Sequence, residues 1–500
     1  MNTWGPRIGT ATLLGGMALL MGGWIALSGA YGAVLLLVAG AVALALVLPW
    51  AWLLWTLLGT TFVLVGPLQY FAGVDKAFWL PYLMALVMGI RCMGEVAAAP
   101  RSTDRSAAGP ALRGDVQLGL FLLAAWAACA LLSSLLHRIP PLQALVAGKE
   151  YFFLWAVPAA FAAGLLRASM LLRLWRWMTL WLLLQVPVVA WQRWFVAPAR
   201  SGDSPWDAVV GVFAGRAGGG GGSGTMALVS LWAAAVVAMA WREGRASAAW
   251  ALAAVGSALL ACAMAEVKIA LLVAPLMACL VACLEPGSVR QNGSSARTPA
   301  SLASALTVMA AGLALSALLL WAHQQQFASR SSAEGQSLER YVQTMVERNL
   351  DDRSLADPYG QLTRLGALRF WWQQQQPQDV PGWLVGHGIG SARRSHLYIG
   401  EAARPWRLEI GRHSASILLW EVGVLGLSCW VAGMAVLGAA AWRMAGPAQD
   451  GWLLRGAASI ILVALLSLPY GADLFESPHL STALMLGVGI TLAAAWNRAR

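Results

Sequence analysis

Uninterrupted apolar runs of seventeen or more residues recur along the chain, and each is long enough to cross a hydrocarbon core of roughly 30 Å as a helix. Backbone groups in lipid must be satisfied within the segment, so such runs fold as helices packed side by side. The sequence is 59% hydrophobic and 11% charged, with a mean hydropathy of +0.64. These values exclude a soluble domain of this length. The fold class expected is an all-α polytopic membrane protein.

About fourteen spans (twelve to fourteen) are expected on length and hydropathy. They lie near 9–28, 31–48, 51–71, 77–94, 116–136, 151–167, 172–196, 225–241, 248–264, 267–284, 302–322, 413–441, 452–470 and 478–496. The start, Met1 to Arg7 followed by an apolar run, lacks a small-residue cleavage site and reads as the first span rather than a removable signal. Arginine concentrates in alternate connections: Arg91, Arg101, Arg105 and Arg113; Arg167, Arg173 and Arg176; Arg242 and Arg245; Arg290 and Arg297; Arg443 and Arg455. Positive residues mark the cytoplasmic side, so both termini are expected inside. The net charge of +11 then reflects those loops and anionic membrane lipid rather than nucleic acid.

Three regions follow: transmembrane helices over 1–322, a large external loop over 323–412 that is mainly helical, and C-terminal transmembrane helices over 413–500. The loop is too long for a plain connector and is expected to carry function. A second external segment, 197–224, ends in the glycine run after Arg216. The cysteines all fall in expected spans, so neither a disulfide framework nor a metal cluster is expected. The six histidines offer no metal triad, and no metal or other cofactor is expected. No internal repeat is visible, which weighs against transporters built from duplicated halves.

The chemistry-bearing pattern closes the long loop. Arg364-Leu365-Gly366-Ala367-Leu368-Arg369-Phe370-Trp371 is followed by Pro381-Gly382-Trp383-Leu384-Val385-Gly386-His387-Gly388-Ile389-Gly390. His413 then opens a span that contains Glu421, Gly423 and Gly426. Gly386, Gly388 and Gly390 lack the surrounding βαβ unit of a dinucleotide loop. A glycine turn of this kind can bring backbone N–H groups to a phosphate or sugar. An imidazole at the membrane surface can take a proton near neutral pH, and a guanidinium can hold two phosphate oxygens at once. The plain alternative for His413 is a polar residue that starts a helix at the interface. Glu421 lies roughly 12 Å deeper along a helix, too far to touch His413, and reads as a hydrogen-bonding group inside the bundle.

This order of motifs resembles the O-antigen ligase and O-antigen polymerase family of bacterial envelope glycosyltransferases. The match covers roughly 360–430, with Ser414 where the family usually has asparagine. The resemblance implies an inner-membrane protein whose site faces the periplasm. It implies an undecaprenyl-diphosphate-linked glycan donor and an acceptor that is a second glycan or lipid A-core, with other polysaccharide-assembly proteins as candidate partners. Transfer would need no nucleotide sugar and no obligatory metal. On that reading His413 is the base or the group that orients the acceptor. Arg364, Arg216 and Lys268 neutralise the diphosphate, Arg412 flanks the glycine turn and His413 as a further substrate-binding candidate, and Gly386, Gly388 and Gly390 shape the pocket. Lys268 has a plainer reading as an interfacial lysine paired with Glu266, and Arg193 with Gln192 is a further diphosphate candidate. Rival functions are transfer from a monosaccharide-phosphate polyprenol and a lipid-linked oligosaccharide flippase.

Overall fold

A computed structural model describes residues 46–98, 113–199, 205–217, 221–282, 362–375, 379–395, 397–445 and 451–499, with a few isolated positions besides. The expected spans 9–28 and 302–322, nearly all of 31–48, and the loop up to 361 lie outside the described residues.

The described residues are helical and form no named strand. Eight helices are long and apolar enough to cross a membrane: α1 (Trp50–Tyr70), α2 (Asp75–Ala98), α3 (Gly114–Leu136), α4 (Pro141–Ala162), α5 (Ala168–Ala199), α6 (Ser223–Arg242), α11 (Ser414–Met444) and α14 (Pro478–Asn497). Three shorter apolar helices accompany them: α7 (Ala248–Met264), α8 (Ala270–Ala282) and α12 (Gly451–Ser467). The long loop supplies α9 (Arg364–Gln374) and α10 (Val380–Val385), and α13 (Asp473–Glu476) is a single turn. These ranges coincide with the expected spans at most boundaries. The exception is α4, which begins ten residues before the expected start at 151, so that Lys149 and Glu150 lie inside it.

Polar contacts between connections fall into two sets. At one end, Arg216 pairs with Asp75, Tyr70 donates to the Ala208 carbonyl, Arg193 pairs with Glu266, and Arg364 donates to the Tyr470 carbonyl. At the other end, Trp50 donates to Glu95, Arg443 pairs with Asp115, and Arg455 pairs with Glu243. Successive helices therefore run in alternating directions, and every candidate site residue belongs to the first end. α6 and α14 form the centre, each with 89% of its apolar window buried. Neither carries a charged side chain between its ends.

α11 is broken. Gly423 has φ 68° and ψ −174°, outside the helical region, a conformation that a glycine adopts without a Cβ clash. The break leaves main-chain carbonyls without helical donors, which costs several kcal/mol each in a lipid-like interior. The glycine turn fills the gap: His387 N–H donates to the Trp420 carbonyl at 2.8 Å and Gly388 N–H to the Glu421 carbonyl at 3.1 Å. Ser133 of α3 also donates to the Glu421 carbonyl. The fit is close, since a Cβ on Gly386 (φ 80°) would come within 2.4 Å of the Glu421 carbonyl carbon.

Candidate functional site

His413 stands at the junction of the loop and α11. It is fully buried and caps the helix: Ser416 N–H donates to His413 Nδ1 at 3.0 Å, while His413 N–H donates to Ser416 Oγ at 3.1 Å. Because Nδ1 accepts, the proton of the neutral ring lies on Nε2, which donates to the Arg364 carbonyl at 3.0 Å. Burial, together with the Arg364 and Arg412 charges nearby, pushes the imidazole below its ordinary value and keeps it neutral. Both nitrogens are thus engaged with backbone. In this arrangement no lone pair faces an acceptor hydroxyl, and proton removal by His413 requires Nδ1 to release the Ser416 N–H first.

Arg364 is the first residue of α9, whose start is capped by Thr363 accepting from Gly366 N–H at 2.9 Å. Its Nε donates to the Tyr470 carbonyl at 2.8 Å, and its guanidinium carbon lies 4.4 Å from the Tyr470 ring centre. Stacked cation and ring attract each other, and the planar fork is held at a fixed tilt. Burial lowers the Arg364 pKa, with Tyr470 and Asp473 acting in the opposite sense. Asp473 is itself raised by burial, against Thr225 and Arg364. The loop closes onto the same place: Ser414 N–H and Oγ both donate to the Gly471 carbonyl, each at 2.9 Å.

The structure brings Arg364, Arg412, His413, Tyr470 and Asp473 together. Lys268 is exposed on the short connection between α7 and α8, beside Ile269, whose backbone interacts with Tyr470. Glu266 pairs with Arg193 at 2.9 Å. Gln192 is structural, since its amide clamps the chain at Val210 and Gly211. Arg216 sits apart at the surface, 3.1 Å from Asp75.

The glycine turn differs from the anion-binding nest expected of it. The N–H groups of Gly386, His387, Gly388 and Ile389 bond to Gly382, Trp420, Glu421 and Ser134, respectively. His387 and Gly388 hold the broken helix, Gly386 closes α10 and Ile389 ties the turn to α3, so the turn shapes the site by packing.

Behind the turn lies a buried ionic network. Arg393 bonds Glu421 through Nε at 2.9 Å and Nη2 at 3.1 Å, and through Nη1 it bonds Glu150. Tyr151 donates to Glu421 at 2.8 Å. Lys149 bonds Glu150 and sits within 5.0 Å of the ring centres of Phe78, Trp79 and Tyr82. Two cations and two carboxylates balance, which is how buried charge is tolerated. Glu476 reaches solvent beside this network. Crowding by protein, with Glu409, Glu150 and Asp473 nearby, pushes its carboxyl up to about 8, against the opposing pull of Arg393. Among the described residues no group of three or more His, Cys, Asp or Glu side chains is arranged to hold a metal ion. No family model matches the sequence, and no curated protein does.

Proposed function

We propose that the chain is a membrane glycosyltransferase of the O-antigen ligase or polymerase kind. It moves an oligosaccharide from undecaprenyl diphosphate to an acceptor sugar hydroxyl at the periplasmic face of a bacterial inner membrane. The observation that carries this reading is the convergence of Arg364, Arg412 and His413 where α11 enters the membrane. A lipid diphosphate leaves readily once its charge is neutralised, and a guanidinium fixed on Tyr470 offers the geometry for that. Lys268 and Arg216, at the same end, add positive charge for the incoming donor.

In the transfer, an acceptor oxygen attacks the anomeric carbon while the bond to the diphosphate oxygen breaks. The electron pair leaves with the lipid diphosphate, and the acceptor proton passes to a base. His413 either frees Nδ1 from the Ser416 N–H to serve as that base or holds Arg364 in place while another group takes the proton. The rival flippase needs a polar route through the bundle. The uncharged middles of α6 and α14 favour a reaction confined to one end.

The test is a deletion strain assayed for lipid-linked repeat units. Accumulation of single units at the periplasmic face, with loss of polymer or of capped lipid A-core, supports the reading. Accumulation at the cytoplasmic face supports the flippase instead.

A further inference from the structure

The cluster around Arg364 lacks a ready proton acceptor. His413 Nδ1 accepts from the Ser416 N–H, and Nε2 donates to the Arg364 carbonyl. Behind the glycine turn, Glu421 is held by Arg393 and Tyr151, and Glu150 by Lys149 and Arg393. Asp379 caps α10 by accepting from the Gly382 N–H. Asp473 lies in the field of the Arg364 cation.

Glu476 differs from all of these. It is exposed, and among the described residues no hydrogen bond or ion pair holds its carboxyl. Protein nevertheless crowds it so closely that loss of hydration is the strongest influence on that carboxyl. An exposed group so crowded lies in a recess, not on a convex surface.

Its backbone is fixed. Glu476 ends the single turn α13, whose Leu474 and Phe475 are buried, and Phe475 stacks on Tyr151 with ring centres 4.9 Å apart. Ser481 of α14 donates to the Leu474 carbonyl. An open carboxyl on an anchored turn is positioned before substrate arrives, as acid–base catalysis requires. The same turn ties it to the cation site. Asp473 is three residues earlier, and such neighbours stand roughly 5–6 Å apart at their Cβ atoms.

We infer that Glu476 is the general base that takes the acceptor hydroxyl's proton. This rests on the transferase reading. One turn on from the partner of Arg364, its carboxyl stands clear of the diphosphate and within reach of the sugar that carries it. The acceptor O–H bond breaks towards Glu476, and the oxygen bonds to the anomeric carbon. The electron pair of the cleaved C–O bond leaves with the lipid diphosphate. Glu476 then returns the proton to the water it faces, and His413 keeps the role of holding Arg364.

The surroundings set the pH at which this base works. Arg393 and Lys149 face it with positive charge, and Glu150, Glu409 and Asp473 with negative. Tyr82 and Tyr398 are also in electrostatic reach. Of the other elements packed on α13, α11 brings Glu421 and α14 brings His479, both buried, and α12 only Arg455 at its far end. The Glu476 carboxyl sits at about 8. At pH 7 roughly a tenth of it is ionised, and that fraction is a stronger base than an ordinary carboxylate.

The experiment follows glycan transfer by the purified full chain across pH, with the host's undecaprenyl-diphosphate-linked repeat unit as donor. Wild-type kcat/KM should climb with pH and level off near 8, whereas a base at His413 would level off below 6.5. Glu476→Gln should lower kcat by about two to four orders of magnitude and flatten that limb, with an unchanged unfolding midpoint near pH 5. Glu476→Ala should regain transfer when formate is added, a carboxylate small enough to enter the gap; a purely structural role leaves formate nothing to restore. Glu409→Gln, at the other exposed carboxyl in reach, should transfer like wild type. Near-wild-type transfer by Glu476→Gln, absence of formate rescue, or a limb below 6.5 each overturns the inference and leaves the transferase reading standing. No transfer by the wild type at any pH sinks the transferase reading, and the inference with it.

Discussion

His413 Nε2 donates to the main-chain carbonyl of Arg364 at 3.0 Å, so the imidazole at the mouth of α11 also fixes the start of α9. The Arg364 guanidinium in turn stacks on Tyr470 and donates to that residue's carbonyl. Three segments far apart in sequence are thereby locked around one cation.

The first prediction separates capping from proton transfer at His413. An asparagine side chain can accept from the Ser416 N–H as a cap does but takes up no proton near neutral pH. His413→Asn should preserve folding, whereas His413→Ala should lose about 1 kcal/mol of helix-start stability. If His413 is the base, both variants should lower transfer by about two to four orders of magnitude, with lipid-linked donor accumulating. Transfer by His413→Asn close to wild type would assign His413 to positioning alone. The pH dependence has a definite sign. The folded-state pKa lies below the ordinary 6.5, so the unfolded state binds the proton first. Stability conferred by the cap is present above 6.5 and falls as pH drops through the lowered pKa. His413→Asn should flatten that acid limb in thermal unfolding.

The second prediction concerns Arg364. A lysine retains the charge but loses the planar fork and the stack on Tyr470. Arg364→Lys should therefore transfer glycan at an intermediate rate, and Arg364→Ala should be far slower, both at equal expression. Full activity of Arg364→Ala would move the diphosphate site to Arg216 or Lys268.

The third prediction is topological. Reporter fusions at Ser294 and Ser354 should report opposite sides of the membrane, the first cytoplasmic and the second periplasmic, from the arginine bias of alternate connections. The same side for both would remove the transferase reading.

Long apolar runs were legible because length and hydropathy alone specify a span. The start of α4 was not, because Lys149 and Glu150 read as charges that belong in water. Glu150 pairs with both Lys149 and Arg393, and three aromatic rings surround Lys149; the rings and Arg393 come from other segments and leave no local signature. The break at Gly423 was equally hidden, since glycine is common in membrane helices. Its meaning depends on donors supplied from a turn some thirty-five residues earlier in the sequence. The same pairing explains why the glycine turn read as a phosphate nest: N–H groups that look free in a sequence are already committed to Trp420 and Glu421. Glu421, by contrast, was legible as a bonded carboxylate because an unpaired charge at that depth is too costly to persist.

The fourth prediction follows from Glu476. Its carboxyl sits at about 8 against an ordinary 4.5, so the native state keeps a proton that the unfolded state has lost over that interval. Stability should therefore decline as pH rises from 4.5 through 8. Glu476→Gln mimics the protonated form and should leave the unfolding midpoint unchanged near pH 5 while abolishing the alkaline decline. A variant whose decline matches wild type would place the responsible group elsewhere.

The last prediction tests whether the Arg393 network holds the broken helix. Arg393→Met strands Glu421 and Glu150 without their shared cation, and removing one partner of a buried pair costs about 3–5 kcal/mol. Such a loss is a large share of the stability of most folded proteins, so this variant should yield little monodisperse protein. Glu421→Gln should be milder. It leaves Arg393 paired with Glu150 and still offers an acceptor to Tyr151. The double variant Arg393→Met with Glu421→Leu removes the bidentate pair together and should recover part of the loss, measured as the unfolding midpoint in detergent. Glu150 retains Lys149 in that background, so no carboxylate is left wholly unpaired. If Arg393→Met alone folds like wild type, the break at Gly423 is held by the glycine turn's two main-chain bonds, and the ionic network is free to serve the substrate instead.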